Sequence, residues 1–264
     1  MTPRSVRGDM SKQLVLIAGP MVRASSWQPT AAHLRQAGWS VQVPDLLAHS
    51  VTPPAWRAWS RHLLDHITPT KAPILVGHSS ASALVADLAI KLPAGGLIIV
   101  DGDIPPEQGR ASPVRPALHD VIRNQADADG VLPVWSRWFL HDPQRAALIG
   151  LDRLAQDPVA LARFEDGLPV MHIDWFDDSI ELARWDHVPA GFIQASPIYD
   201  HATAEALRRG WPVARLGGTH LHPTLCPADT AQAILSLVHQ LDAGSGRTQL
   251  TDASRKTGLD TDRR

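Results

Sequence analysis

A serine at position 79 stands where an apolar run meets the start of a helical pattern, a position suited to a nucleophile. The run Ile74–Val76 predicts a buried strand, and Gly77 and Ala81 lie two residues before and after the serine. A sharp strand-to-helix turn needs such small neighbours because larger side chains would collide within it. The turn would raise the hydroxyl above the sheet edge and aim the first helical amides at a developing oxyanion. We therefore interpret Ser79 as an attacking hydroxyl and the N–H of Ser80 as an oxyanion donor.

A base and an acid for this serine follow other predicted strands. His220 comes two residues after the glycine pair that ends the last predicted strand, and Asp200 comes after the strand before it. In such a set the histidine takes the serine proton, and the carboxylate orients the imidazole and stabilises its charge. Asp103 or its neighbour Asp101, which follow the strand after the serine, are the alternative acids. His222 is the rival of His220, because the His-x-His spacing leaves the register ambiguous.

A parallel sheet is needed to bring these side chains to one edge, and the chain has the alternation of strands and helices that builds one. Short apolar runs alternate with apolar helical stripes over 13–103 and 190–242, which we assign to the core. This pattern predicts an α/β fold with a doubly wound, mostly parallel sheet. The stretch 104–189 has Pro, Gly and Asp breaks and several tryptophans instead, and predicts a helical cap insertion. We expect an N-terminal tail over 1–12 and a disordered C-terminal tail over 243–264.

Composition argues against several classes of function. The 264 residues have a net charge of −2 with scattered basic residues, which gives no electrostatic case for nucleic acid or an anionic membrane. The longest apolar runs are strand-length, and no apolar segment of the kind found in signal peptides follows the first charges. The single cysteine, Cys226, rules out an intrachain disulfide framework and favours the reducing cytoplasm. We expect a small-molecule substrate; self-association into a homodimer stays open.

The stretch 77–81, Gly-His-Ser-Ser-Ala, resembles the Gly-x-Ser-x-Gly nucleophile elbow of the α/β-hydrolase family, with alanine in place of the second glycine. The resemblance extends over 13–241, because an elbow, an acid and the segment Gly-Gly-Thr-His at 217–220 follow in the family's order. It implies the α/β-hydrolase fold with a cap, and a serine esterase acting on a small ester, thioester or lactone. Neither a cofactor nor a metal is implied.

The second oxyanion donor of the family usually comes from the segment after the first strand, which here reads Ala-Gly-Pro-Met at 18–21. Proline has no N–H, so Pro20 cannot donate, and we assign the donor to Met21. The same departure motivates a different interpretation, a catalytically weak or inactive ligand-binding member of the fold. Cofactor-free oxygenase or C–C bond chemistry on the same serine, histidine and aspartate is a third.

The cap is expected to form the substrate pocket above the elbow. Trp135 and Trp138, three residues apart after a proline, are the side chains that we place over Ser79. The remaining predicted pocket residues are Pro20, His78 and His222. The histidines and the cysteine between 220 and 226 have no second cluster with ligand spacing beside them, so no metal site is predicted.

Overall fold

The structure, a computed structural model, describes residues 13–46, 55–68 and 72–257, with 244–257 as backbone only. The predicted N-terminal tail, 1–12, lies outside these ranges. The strands are β1 Gln13–Ile17, β2 Ser40–Gln42, β3 Ile74–His78, β4 Gly96–Val100, β5 Gly109–Ala111, β6 Val131–Leu132, β7 Met171–His172, β8 Ile180–Leu182, β9 Ala190–Gln194 and β10 Val213–Arg215. The α-helices are α1 Gln28–Gln36, α2 Ala55–His66, α3 Ser82–Lys91, α4 Pro116–Arg123, α5 Pro143–Ile149, α6 Leu151–Leu154, α7 Pro158–Asp166, α8 Asp174–Asp177, α9 Asp200–Arg208, α10 His222–Leu225 and α11 Pro227–Thr257.

Six of the strands form one parallel sheet in the order β10-β9-β4-β3-β1-β2. Strands β1, β3 and β4 are buried along their whole length, as expected for continuous apolar runs between two helical layers. From β1 the chain moves outward to β2 and returns on the other side of β1 to form β3. A ligand site is expected where the winding reverses in this way, beyond the carboxyl ends of β1 and β3. The predicted doubly wound, parallel α/β architecture is confirmed.

Helices cover both faces of this sheet. Helix α1 packs against α11, and α2 packs against α3. Right-handed crossovers in opposite directions from the switch point place α1 and α3 on opposite faces. The predicted stripe on α3 is buried, with Leu84, Val85 and Leu88 fully inaccessible to solvent. The core therefore lies on both sides of the central strands and holds their ends in fixed positions.

A long insertion, 101–189, separates β4 from β9, its neighbour in the sheet. It contains the helices α4 to α8, and Asp142 and Asp157 cap the first turns of α5 and α7 through their side chains. It also contains two antiparallel pairs, β5 with β8 and β6 with β7. No feature of the sequence predicts these pairs, because strands of two or three residues are too short to show alternation.

The closing helix α11 continues beyond 242, where the core was expected to end. The predicted disordered tail therefore begins inside a helix, and its last part, 258–264, lies outside the described residues. Glycine and serine lower helix propensity only modestly, and extending an existing helix is easier than starting one. Within the described ranges, none of the helices combines the length and apolar character needed to cross a membrane.

Candidate active site

Ser79 lies on a strained turn between β3 and a short 3₁₀ helix, Ser79–Ala81, that leads into α3. Its φ of 59° is in the left-handed region, which a residue with a Cβ rarely adopts. The small neighbours make this turn possible: a Cβ on Gly77 would lie 2.8 Å from Val85, and a Cβ on Gly102 would lie 2.4 Å from the Ser79 carbonyl oxygen. The turn aims the serine hydroxyl away from the core and into the space beyond the sheet edge.

His220 lies within hydrogen-bonding distance of this hydroxyl. Its Nε2 is 3.1 Å from Ser79 Oγ, and its Nδ1 is 2.7 Å from Asp101 Oδ2. The contacts fix the tautomer, because the Nδ1–H donates to the carboxylate and Nε2 is left to accept from the serine. All three side chains are buried. The structure thus brings together a hydroxyl, an imidazole and a carboxylate in an unbroken chain of hydrogen bonds.

Asp101 follows β4 directly and is completely buried, with a left-handed backbone φ of 45°. Its carboxylate accepts hydrogen bonds from the amides of Ala195 and Ser196, at 2.9 and 2.8 Å, and from Ser196 Oγ at 2.6 Å. Burial alone raises the pKa of a carboxyl, but the hydrogen bond and charge of His220 and the hydrogen bonds from Ser196 outweigh it and hold the pKa of Asp101 below its usual value. Asp101 is therefore ionised and held rigidly against the imidazole.

The expected acids lie elsewhere, which corrects the sequence-based assignment. Asp200 is the first residue of α9, and its exposed carboxylate accepts a hydrogen bond from Gln194 Nε2. Asp103 is 2.6 Å from His201 Nε2. Asp200 lies in the first turn of α9, and its exposed side chain contacts Gln194. Asp101 instead comes directly after the last residue of β4. Asp101, not Asp200 or Asp103, contacts His220.

His78 and His222 do not line the pocket, contrary to the prediction from the sequence. His78 Nε2 donates to the carbonyl oxygen of His220 at 2.9 Å, and its ring meets Trp27 edge-on at 5.9 Å. Burial, with the neighbouring His220, lowers the pKa of His78 to about 3, so this side chain is a neutral support for the loop. His222 is buried against Gly218, and neither histidine lines the cavity described next.

A cavity of about 390 Å³ opens above Ser79 and His220. Trp135 and Trp138, both predicted to lie there, are among its walls, and the Trp135 ring is 6.2 Å from the ring of His220. Pro20 is not among the lining residues, although its neighbour Met21 is. The further lining residues are Arg115, Ala117, Leu118, Val121, Phe139, Arg145, Leu148, Ile149, Ile198 and Tyr199. Most of the wall is apolar, because the insertion contributes aliphatic and aromatic side chains to it.

The segments expected to form an oxyanion hole adjoin each other. A Cβ on Gly19 would lie 3.6 Å from Ser80 N, which brings the turn after β1 against the elbow. Val22 N donates to the Gly19 carbonyl at 3.2 Å and closes that turn. Among the described residues, no backbone hydrogen bond outside the helices and strands has Met21 N or Ser80 N as its donor. Ser80 also lies in the first turn of its helix, where N–H groups have no partner within the helix, so both amides are available to a ligand at this edge.

Tyr199 is a site residue to which the sequence assigns no role. Its ring stacks on the His220 ring at 5.6 Å with an interplanar angle of 26°. Burial, followed by the charge of Asp103, raises the pKa of Tyr199, while the side chain of Ser79 acts against that rise. The phenol is therefore neutral, and Tyr199 lines the cavity together with Ser79 and His220. Two features of the sequence could have indicated a role for this residue: it follows β9, and it is the single tyrosine of the chain.

One group of side chains among the described residues has the composition of a metal site. Ligand atoms of His222, Cys226 and Asp229 lie within 4.8 Å of one another. The guanidinium of Arg153 lies 3.7 Å from Cys226 Sγ, and its positive charge opposes a cation at this position. The group extends from the start of α10 through Cys226, which lies between the two helices, to the first turn of α11. It lies outside the hydroxyl–imidazole–carboxylate chain, and we assign no chemistry to it.

A parallel sheet with a serine on a strained turn, a histidine and an aspartate at its carboxyl edge is the arrangement of the α/β hydrolases. The family described as the alpha/beta hydrolase family matches 14–233 of this sequence, and the chain belongs to that family. Comparison with curated protein sequences finds no match. The resemblance to solved structures lies in the fold.

Three of these structures illustrate the similarity. An extracellular α/β-hydrolase from a Paenibacillus species, described as sharing homology with tobacco salicylic acid binding protein 2, is 18% identical with a TM-score of 0.63, over 85% of this chain and 98% of its own. Tomato methylketone synthase I with 2-tridecanone is 17% identical with a TM-score of 0.64, over 87% and 98%. A pyrethroid hydrolase is 19% identical with a TM-score of 0.59, over 86% and 97%.

Proposed function

We propose that this protein is a serine hydrolase that cleaves small carboxylic esters, thioesters or lactones through an acyl-enzyme. The observation that carries the proposal is the continuous contact from Ser79 Oγ through the His220 ring to Asp101. Such a chain activates a hydroxyl that is otherwise a weak nucleophile at neutral pH. The single cysteine is compatible with work in the cytoplasm.

In the first half of the reaction His220 Nε2 accepts the hydroxyl proton while Ser79 Oγ attacks the carbonyl carbon. The resulting imidazolium donates from Nδ1 to Asp101, whose ionised carboxylate stabilises the positive charge. The negative charge on the former carbonyl oxygen is met by the amides of Ser80 and Met21. His220 then gives its proton to the leaving alcohol or thiol, and the acyl group remains on Ser79.

In the second half water takes the place of the leaving group. His220 removes a proton from this water, which attacks the acyl carbon, and the imidazolium returns the proton to Ser79 Oγ as the acid departs. The apolar cavity above the serine holds the acyl or alcohol part of the substrate.

A second candidate rests on Pro20, which removes one amide from the oxyanion segment. If Met21 does not take over that task, the rate falls by about 10²–10³-fold, and the protein is a weak catalyst or a ligand-binding member of its family. Cofactor-free oxygenase or C–C bond chemistry would use the same three side chains. A weak catalyst would still be acylated at Ser79, whereas a ligand-binding member would not.

A fluorophosphonate probe and p-nitrophenyl acetate and butyrate test the proposal together. We expect the wild type to be labelled and to release p-nitrophenol, and Ser79→Ala to do neither. Ser82→Ala is the matched control, because this buried serine lies three residues further along the same turn and helix. Absence of both labelling and hydrolysis in folded wild type would contradict the hydrolase and favour the ligand-binding alternative.

A further inference from the structure

The permanent charges on the residues that line the cavity are positive. Among the described residues that line it, Arg115 and Arg145 carry a permanent charge and none is acidic. The remaining walls are apolar or aromatic apart from the reacting groups themselves. A cavity of this composition distinguishes ligands by charge as well as by shape, because a cation near an apolar surface attracts an anion more strongly than in bulk water.

Arg115 is connected to the reacting groups through one aromatic ring. It is the N-cap residue of α4, and its guanidinium carbon lies 5.9 Å from the centre of the Tyr199 ring. The same Tyr199 ring stacks on the ring of His220. Only this ring separates the guanidinium from the imidazole, and Arg115 and His220 both line the cavity, so one ligand of modest length can reach both.

Arg115 is connected to the carboxylate of Asp103 only indirectly. Arg115 Nη1 is 3.1 Å from the His201 ring, and that ring is in turn 2.6 Å from Asp103. An imidazole thus stands between the guanidinium and the carboxylate, and it leaves the remaining guanidinium N–H groups available. Arg115 is half-buried, which reduces the screening of its charge by water.

Arg145 supplies the second charge, from α5. Its Nε is 3.6 Å from Asp142 Oδ2, a distance too long for a good hydrogen bond, and Asp142 also accepts from the Arg145 amide to cap the helix. The carboxylate is therefore engaged with the helix terminus as well as with the side chain. Leu148 and Ile149, on the same helix, continue the apolar wall between this charge and the interior.

We infer that the preferred substrates are esters or thioesters with an apolar body and a carboxylate at the end away from the scissile bond. This inference rests on the proposed function, since it names the substrate class for the same serine. The reacting carbonyl lies at Ser79, the apolar body lies along the cavity wall, and the distal carboxylate pairs with Arg115, with Arg145 or with both. Guanidinium groups bind carboxylates through two parallel hydrogen bonds, which neutral esters cannot form.

Two matched pairs of substrates test the inference. Mono-p-nitrophenyl adipate and p-nitrophenyl hexanoate share the length of the acyl chain and differ in the terminal carboxylate. The pair 4-acetoxybenzoate and 4-acetoxybenzamide places the charge on the alcohol side. We expect the anionic member of at least one pair to have a kcat/KM about 10- to 100-fold higher after subtraction of uncatalysed hydrolysis, and this preference to shrink as salt is added.

Arginine variants assign the effect to the cavity. Arg115→Gln or Arg145→Gln should lower kcat/KM for the preferred anionic ester by about tenfold or more, and change the value for its neutral partner less than threefold. Arg137→Gln is the matched control, since this exposed arginine lies between the two cavity tryptophans in sequence but does not line the cavity. Equal loss for charged and neutral esters would contradict a role in charge recognition.

The outcomes separate this inference from the proposed function. Hydrolysis of both pairs without preference for the anionic member overturns the inference and leaves the hydrolase intact. If neither pair is hydrolysed, calorimetric titration of Ser79→Ala with the same compounds provides a measurement that does not depend on turnover. Tighter binding of an anionic member that is lost in Ser79→Ala/Arg115→Gln supports the inference, and equal affinity within each pair overturns it.

Discussion

Ser79 and Asp101 follow paired positions of two adjacent parallel strands. His78 of β3 pairs with Val100 of β4, and each of the next residues has a left-handed backbone, with φ of 59° and 45°. Parallel strands end at the same edge, so the two turns release the hydroxyl and the carboxylate side by side, and His220 lies between them. This register is the reason that Asp101, and not an acid further along the chain, contacts the imidazole.

Replacement of the carboxylate tests this arrangement. Asp101→Asn should reduce kcat by about 10³–10⁴-fold, because an amide that donates to Nδ1 holds the ring in the wrong tautomer. Asp200→Asn is the control and should change kcat less than threefold, since its carboxylate contacts Gln194. Ester hydrolysis at pH 8 provides the measurement. A large loss in the Asp200 variant with an active Asp101 variant would reverse the assignment.

The register also explains which parts of the site could be predicted from sequence. Ser79 and His220 are marked by local features, a serine between small residues after a strand and a histidine after a glycine pair. The identity of the acid depends on how β4 aligns with β3 and β9, and on a strained backbone at Asp101. Neither property is visible in the order of residues, so the sequence favours Asp200, at the start of a helix in the family's usual place, whereas the structure puts Asp101 against His220.

The same distinction holds for the fold. Continuous apolar runs predict the buried strands β1, β3, β4 and β9, because burial on both faces demands them. The composition of the insertion differs from that of the core and indicates its presence. Its short strands arise from tertiary packing, and so does the contact of Tyr199 with His220 in the core, so neither could be predicted. Trp135 and Trp138 were placed over the serine from their spacing and chemistry, and they do line the cavity.

The hydroxyl of Tyr199 should contribute to the rate separately from its ring. Tyr199→Phe keeps the stacking on His220 and removes the only hydroxyl besides that of Ser79 from the described residues that line the cavity, and we expect kcat to fall about tenfold. Tyr199→Leu removes the ring as well, and its kcat should fall further. The pH profile of kcat/KM should also change in this variant, because the imidazole is less well held. Identical activity of wild type and Tyr199→Phe would exclude a role for the hydroxyl.

Gly102 should tolerate no side chain, because its position supports the elbow. A Cβ there would lie 2.4 Å from the Ser79 carbonyl oxygen, which is backbone and cannot move aside cheaply. Gly102→Ala is expected to lower the free energy of unfolding by about 1–3 kcal/mol and to slow fluorophosphonate labelling. Gly167→Ala is the control, since its nearest neighbour would be 3.5 Å away. Urea unfolding that shows equal stability for both variants would refute this explanation.

His78 should make the protein less stable in acid. Burial holds the pKa of His78 at about 3, below the 6.5 of an exposed histidine, so at pH values between these the unfolded chain binds a proton that the folded chain does not. Its share of stability is complete above pH 6.5 and is lost as the pH falls. Between pH 7.5 and 5 this share amounts to roughly 2 kcal/mol. Urea unfolding of wild type and His78→Gln at both pH values should show a smaller acid loss in the variant; an equal loss would contradict the assignment.

Trapping the proposed acyl-enzyme shows directly whether Ser79 is the nucleophile. Wild-type protein mixed with p-nitrophenyl acetate and quenched in acid should show one added acetyl group by intact-protein mass spectrometry, and peptide mapping should locate it on Ser79. Asp101→Asn should accumulate it more slowly, and Ser79→Ala should not acquire it. Turnover of the ester without acylation of Ser79, or with the acyl group on another residue, would contradict the account.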